Sequence, residues 1–277
     1  MTSDVVATPG VMAVDLGNTA AKSLASDFLA DHRVPSFRSP VQTFALSQDD
    51  WPQRIVAWAA ANVRQVRQWR LASVNRQALA KLKAAIAASS SAETICLTHH
   101  DVPIAVNVPR PEAVGIDRLL GAFAIAGITR PAEPGLPAVL VDAGSAITID
   151  WIDAAGVFQG GAILPGLNLQ ASSLASGTDL LPQIEWIGAA DLPSPGKDTV
   201  AAIRLGIMTA VIAAIEKLRD QYAGDTSTEP TVWLTGGDAA AISPHLTAEH
   251  LVCRDLVCRG ILRCQGVDAA ALGPRDC

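Results

Sequence analysis

No two of the five cysteines (Cys96, Cys253, Cys258, Cys264 and Cys277) stand in a CxxC spacing, and their number is odd. A disulfide framework is therefore not expected in a chain this long, which points to a reducing, cytoplasmic setting. His250, Cys253, Cys258 and Cys264 cluster in sequence, but none of their gaps is the two-residue spacing of a zinc site. Val252, Leu256, Val257, Ile261 and Leu262 among them read as strand or core, so these thiols are expected to be buried. Basic charge is also short. Twenty-one lysines and arginines face 27 acids, a net charge of −6, and only five of the 21 are lysine. Such a chain lacks the broad positive field that non-specific nucleic-acid binding requires.

Two further features are missing. The N-terminus, Met1–Val6, has no basic region of the kind that opens a secretory signal. The apolar run Ala201–Ile215 is interrupted by Arg204 and falls short of the ~20 residues that span a bilayer. What is present is aliphatic: 49% of the 277 residues are hydrophobic and 17% charged. That composition excludes a disordered chain, and the length suits one large domain or two smaller ones.

Two segments share one design. Val11–Thr19 is an apolar run ending in the Asp-x-Gly turn of Asp15 and Gly17, and Val139–Asp150 repeats it with Asp142 and Gly144. Each predicts a buried strand, a tight turn and a return strand. Between them, Ile128–Pro137 holds three prolines and a glycine, a linker composition. Two similar α/β halves follow, residues 1–130 and 138–277, with a cleft between them. In the first, the 3–4-residue spacing of Ile55, Trp58, Asn62, Val66 and Trp69 predicts a helix over Trp51–Trp69. Arg64, Arg67 and Arg70 would form a basic stripe on another face of it. A strand over Arg70–Asn75, a helix to about Ala88 and a strand over Thr94–Leu97 come next. In the second half, a strand from Phe158 runs into the glycine turn ending at Gly166, then a helix over Leu167–Ala175. A long helix opens at Thr199, and strand Thr231–Thr235 ends in Gly236-Gly237-Asp238. The tail from Asp268 has no periodic pattern.

Carboxylates and close-packed backbone amides at strand ends suit phosphate chemistry. Glycine lets the backbone approach, amides donate to phosphate oxygens, and Asp holds a hydrated magnesium ion. Asn18, Thr19 and Lys22 add donors to the first turn. Asp117 and Arg118 stand in the first turn of an Ala/Leu-rich helix. An acid there opposes the helix macrodipole, and it could equally orient a hydroxyl for attack on a phosphoryl group.

In this order, Asp15–Lys22, Gly115–Arg118, Asp142–Thr148, Gly160–Gly166, Leu181-Pro182, Asp198-Thr199 and Leu234–Asp238 resemble the motifs of type III pantothenate kinases. The resemblance runs over about residues 11–265. It implies the duplicated ribonuclease H-like, actin-like ATPase fold of the acetate kinase/hsp70/actin superfamily. It also implies phosphorylation of pantothenate by ATP, the first step towards coenzyme A. By position, Asp15, Leu16, Gly17, Asn18, Thr19, Ala20, Ala21 and Lys22 would form the first phosphate loop, with Asp15 holding magnesium through water. Gly144, Ser145, Gly236 and Gly237 would contact the nucleotide, and Asp142 would hold a monovalent cation, potassium or ammonium. Asp117 would be the catalytic base, with Val108, Gly115, Ile116 and Arg118 at the pantothenate site. Thr199 would reach the substrate across a homodimer.

Two positions depart from the family pattern. Ser145 stands where many relatives have threonine and keeps the hydroxyl. Val108 stands near where many have a substrate-contacting tyrosine, a loss of one hydrogen bond worth about 0.5–1.5 kcal/mol. Two other readings share the motifs: a regulatory protein like the Bvg accessory factors, and a kinase of a related small alcohol.

Overall fold

The computed structural model describes residues 10–28, 40–128, 136–186, 192–224 and 228–264. In chain order the first elements are β1 (Val11–Leu16), β2 (Ala20–Ala25), β3 (Gln42–Ala45), α1 (Trp51–Asn62), β4 (Gln68–Ser73), α2 (Arg76–Ser89), β5 (Glu93–Cys96) and α3 (Ile116–Ile128). Then come β6 (Ala138–Ala143), β7 (Ala146–Ile152), β8 (Phe158–Pro165), α4 (Leu167–Gly177), α5 (Thr199–Ala223), β9 (Thr231–Thr235), α6 (Ala239–Ile242), β10 (His250–Val252) and α7 (Leu256–Arg263).

Each sheet has five strands, in the orders β3-β2-β1-β4-β5 and β8-β7-β6-β9-β10. The pairing senses also match. β1–β2, β2–β3, β6–β7 and β7–β8 are antiparallel, whereas β1–β4, β4–β5, β6–β9 and β9–β10 are parallel. This is the ribonuclease H-like, actin-like α/β fold in duplicate. All six residues of β1 are buried, the pattern of a central strand covered on both faces. The first core gathers Met12, Val14 and Leu16 with Ile55, Trp69 and Leu82. The second gathers Val139, Val141, Ile147 and Ile149 with Ile207, Val211 and Leu234.

Three expectations need correction. The helix ends at Asn62, not Trp69. Val63 is extended (φ −115°, ψ 122°), its amide closing on the Ala59 carbonyl at 2.9 Å. Beyond it the Arg67 amide bonds the Gly10 carbonyl at 2.8 Å, and Trp69 pairs with Met12 in the sheet. The basic stripe is lost with it. Arg64 and Arg67 are exposed, whereas Arg70 is buried and donates to the carbonyls of Leu262 (3.2 Å) and Cys264 (2.7 Å).

The second correction concerns the halves. Residues 255–264 belong with the first unit, although they follow the second in sequence. Helix α7 lies against α3 so closely that a Cβ on Gly260 would come within 2.2 Å of the Leu120 carbonyl oxygen. Arg263 donates to the carbonyls of Phe123 (2.6 Å) and Ala124 (3.0 Å), and its guanidinium covers the Phe123 ring. Asp255 and Arg259 form a buried i,i+4 ion pair at 2.8 Å. We therefore expect Gly260→Ala to cost about 2–3 kcal/mol through overpacking. At roughly 2–4 °C per kcal/mol, a thermal melt should fall by about 4–12 °C.

Third, the apolar run at Ala201 does not stop short. Asp198 caps α5 by accepting from the Ala201 amide at 2.8 Å, and the helix continues to Ala223. By length and composition it could cross a membrane. One of its faces, Ile203, Ile207, Met208, Val211 and Ile215, is buried in the second core. The linker residues 129–135 and the tail from Asp268 lie outside the described residues.

Candidate active site

In the first unit, the buried run of β1 delivers Asp15, 8% exposed, to the edge of a tight turn. The Gly17 amide bonds the Ala20 carbonyl at 3.0 Å, and the Thr19 carbonyl accepts from Leu46 at 2.9 Å. A Cβ on Gly17 would stand 3.2 Å from that Ala20 oxygen, tighter than ordinary contact. Asn18 and Thr19 are exposed at the tip, Ala20 is half-buried, and Leu16 and Ala21 turn into the core. Asp15 pairs directly with Lys22 across the β1–β2 ladder, placing opposite charges on one face. Behind the turn, the Cys258 thiol donates to the Lys22 carbonyl at 3.6 Å. Burial, then the negative charge of Asp15, pushes that thiol well above its ordinary pKa, so it stays neutral.

At the start of α3, the Arg118 amide donates to Asp117 Oδ1 at 2.9 Å. The carboxylate folds back so tightly that a Cβ on Gly115 would lie 2.5 Å from the same oxygen. A side chain at 115 would have to push that carboxylate aside. Asp117 and Arg118 are half-buried, and Ile116 packs inward at 9% exposure, anchoring the helix start. Val108 is half-buried in the loop before it.

In the second unit, three turns converge on the end of β6. The Gly144 amide bonds the Ala146 carbonyl (3.0 Å), the Gly166 amide bonds the Ser145 carbonyl (3.0 Å), and the Asp238 amide bonds the Ala143 carbonyl (2.9 Å). Gly166, the end of the glycine turn after β8, packs so closely that a Cβ there would meet the Gly144 oxygen at 2.2 Å. Gly236 has φ +95°, and a Cβ on it would meet the Ala143 oxygen at 2.2 Å and Asp142 Oδ1 at 2.6 Å. Asp142, Gly144, Ser145, Gly236 and Gly237 are thus one cluster, with Ser145 and Gly237 exposed. Thr199 lies apart from it, at the N-terminus of α5. There Leu181, Gly196, Lys197, Asp198, Ala202 and Ile203 line a surface cavity of about 580 Å³ with it.

Among the described residues, no group of three or more His, Cys, Asp or Glu is placed to hold a metal ion. Both His250 ring nitrogens are engaged, Nε2 with Ser243 Oγ and Nδ1 with the Ala248 carbonyl, each at 2.8 Å. Asp15 and Asp142 are each a single carboxylate beside backbone amides. Such a donor set suits a cation that keeps part of its water shell or neutral oxygen ligands.

Known proteins resemble this chain over most of its length. A family model described as type III pantothenate kinase matches residues 11–221. A type III pantothenate kinase of Rhodopirellula baltica is 38% identical over 256 residues, covering 85% of this chain and 90% of that protein. Another, from Synechococcus sp. (strain JA-3-3Ab), is 37% identical over 174 residues, covering 61% of this chain and 68% of its own. A crystal structure titled as a Baf family transcriptional activator from Campylobacter jejuni superposes with a TM-score of 0.60 at 20% identity. It covers 91% of this chain and 96% of that one, a likeness of fold. By the reach of the family model and of the first of these relatives, this chain belongs to the type III pantothenate kinase family.

Proposed function

We propose that the chain transfers the γ-phosphoryl group of ATP to the primary hydroxyl of pantothenate, giving 4′-phosphopantothenate for coenzyme A synthesis. The observation that carries this is the match to the kinase family over residues 11–221, which contains both Asp-x-Gly turns and Asp117. In the first unit, the amides of Asn18 and Thr19 at the tip of the turn and the Lys22 ammonium receive phosphate oxygens. In the second, Ser145 and the amides of Gly236 and Gly237 do the same, with Gly144 shaping the turn. Asp117 accepts the proton of the attacking hydroxyl. The Arg118 amide fixes one of its oxygens, so the base is oriented before substrate arrives. Arg118, Gly115 and the backbone of Ile116 hold pantothenate, with Val108 supplying apolar contact. Magnesium held through water at Asp15, and a potassium or ammonium ion at Asp142, would offset phosphate charge. Most of the rate gain then comes from alignment and a preorganised field.

A homodimer completes the proposal, with Thr199 reaching the partner's substrate. The face of α5 away from its core supports it: Ala202, Gly206, Thr209, Ala210 and Ala213 are exposed and uncharged. The four described cysteines form no disulfide with one another, which suits a cytoplasmic enzyme. The regulatory reading shares the fold but not the family match that favours a kinase.

Coupled ADP release is the test. Turnover should require pantothenate and should fall at least tenfold when sodium replaces potassium. No turnover on pantothenate would overturn the kinase assignment, and equal rates in the two salts would overturn the cation site at Asp142.

A further inference from the structure

Strand β7 carries a polar group that the proposed chemistry leaves unused. Thr148 pairs directly with Asp142 across the antiparallel β6–β7 ladder, so the two side chains share one face, with Cβ atoms about 4.5–5.5 Å apart. That face is opposite the apolar core, into which Val141, Ala143, Ile147 and Ile149 turn. Thr148 Oγ1 is buried from solvent and has no hydrogen-bond partner in the protein. Buried hydroxyls without a partner are few in folded proteins, and an ion or an ordered water is the usual explanation.

The neighbours of Thr148 narrow the choice. On its other side, in β8, stands Ile163, which offers no polar atom. Asp142 is therefore the polar side chain beside it in that row, yet the hydroxyl does not bond the carboxylate. Space around the carboxylate is kept open by missing Cβ atoms: one on Gly236 would lie 2.6 Å from Asp142 Oδ1, and one on Gly144 would lie 4.0 Å away. On the far side of Asp142, β9 places Thr235 in register with it. Asp150, two residues along β7 on the same face, is fully buried and has a partner of its own. Within this row Asp142 is thus the one carboxylate, flanked by neutral oxygens, and it balances one positive charge. A divalent ion bound without its water would call for more carboxylates.

We propose that Thr148 supplies a neutral side-chain oxygen to the monovalent cation held at Asp142. The proposal rests on the cation reading of Asp142 and adds a second residue to that site. Thr148 uses a lone pair towards the ion, so the hydroxyl need not donate to Asp142. The role is one of cation affinity, separate from contact with either substrate.

The test reads cation binding without turnover. The thermal midpoint of the nucleotide-free protein is followed as potassium chloride replaces choline chloride at constant ionic strength. Thr148→Val removes the hydroxyl at nearly constant shape, and Thr148→Ser keeps it. The unmutated chain and Thr148→Ser should share one potassium half-saturation point. Thr148→Val should need about tenfold more potassium, the scale of losing a supporting group at a metal site. An unchanged half-saturation point in Thr148→Val, even with a lower midpoint throughout, reduces Thr148 to a structural residue and overturns the proposal. Should that variant fail to fold, Thr148→Ala is read the same way. Asp142→Asn separates the two claims. If it abolishes the potassium response while Thr148→Val leaves it intact, only the proposal for Thr148 fails. If neither variant alters the response, or the unmutated chain shows none, the cation reading of Asp142 fails with it.

Discussion

Asp117→Asn should lower kcat by about 10²–10⁴-fold while leaving the thermal midpoint within a degree or two. The rate expectation is the range for losing a positioned general base. Asparagine has nearly the same shape, and its carbonyl oxygen can still accept from the Arg118 amide, the 2.9 Å bond that holds the carboxylate. The bond that holds the helix start is therefore kept while proton acceptance is lost. KM for both substrates should stay within a few-fold, because the variant removes an interaction made in the transition state. Steady-state kinetics with a melting curve decide it. Activity at the unmutated level would remove Asp117 from the mechanism, and a collapse of the melt would recast it as a structural cap.

Gly236→Ala carries the largest expected structural effect. The new methyl would sit 2.2 Å from the Ala143 oxygen and 2.6 Å from Asp142 Oδ1, at a residue whose φ is +95°. Two costs add, a left-handed backbone that alanine disfavours and a clash with main chain that cannot swing aside. Relief would require β9 to part from β6, where Asp142 and Thr235 are in register. A loss of about 2–4 kcal/mol is expected. Gly237→Ala is the matched control, since a Cβ there meets nothing within 4 Å and should change stability by no more than about 0.5 kcal/mol. Chemical denaturation of the two variants side by side checks the contrast. Equal midpoints would mean that the turn relaxes without penalty.

Much of this architecture is legible in the sequence because its signals are local. A buried apolar run followed by Asp-x-Gly specifies strand, turn and return strand within a dozen residues. Both hairpins, and strand Thr231–Thr235, lie where the pattern puts them. The end of α1 was not legible for the opposite reason. Val66 and Trp69 continue the helical spacing of Ile55, Trp58 and Asn62, and only the pairing of Trp69 with Met12, far away in sequence, moves Trp69 into the sheet. Helix α7 is similar. Its apolar residues announced burial correctly, but the surface that buries them, α3, is more than a hundred residues earlier. In the cluster at the end of β6, Asp142 and Ser145 were readable as members of the turn motif. Thr148 was not, since its significance depends on the ladder that sets it opposite Asp142 and on a hydroxyl left without a partner.

The return of α7 to the first unit has a consequence for how the protein is made. The first unit cannot finish folding when its own strands leave the ribosome, because the helix that covers Leu120 and closes on Lys22 is translated only after the whole second unit. At about 5–20 residues per second the wait is roughly ten seconds, during which the α3 surface has no native cover. Among the described residues the second unit is a single stretch of sequence and has no such delay. It is thus the half able to mature first during synthesis, reversing the usual N-to-C order, and a chain stopped before Asp255 would leave the half bearing Asp15 and Asp117 unfinished.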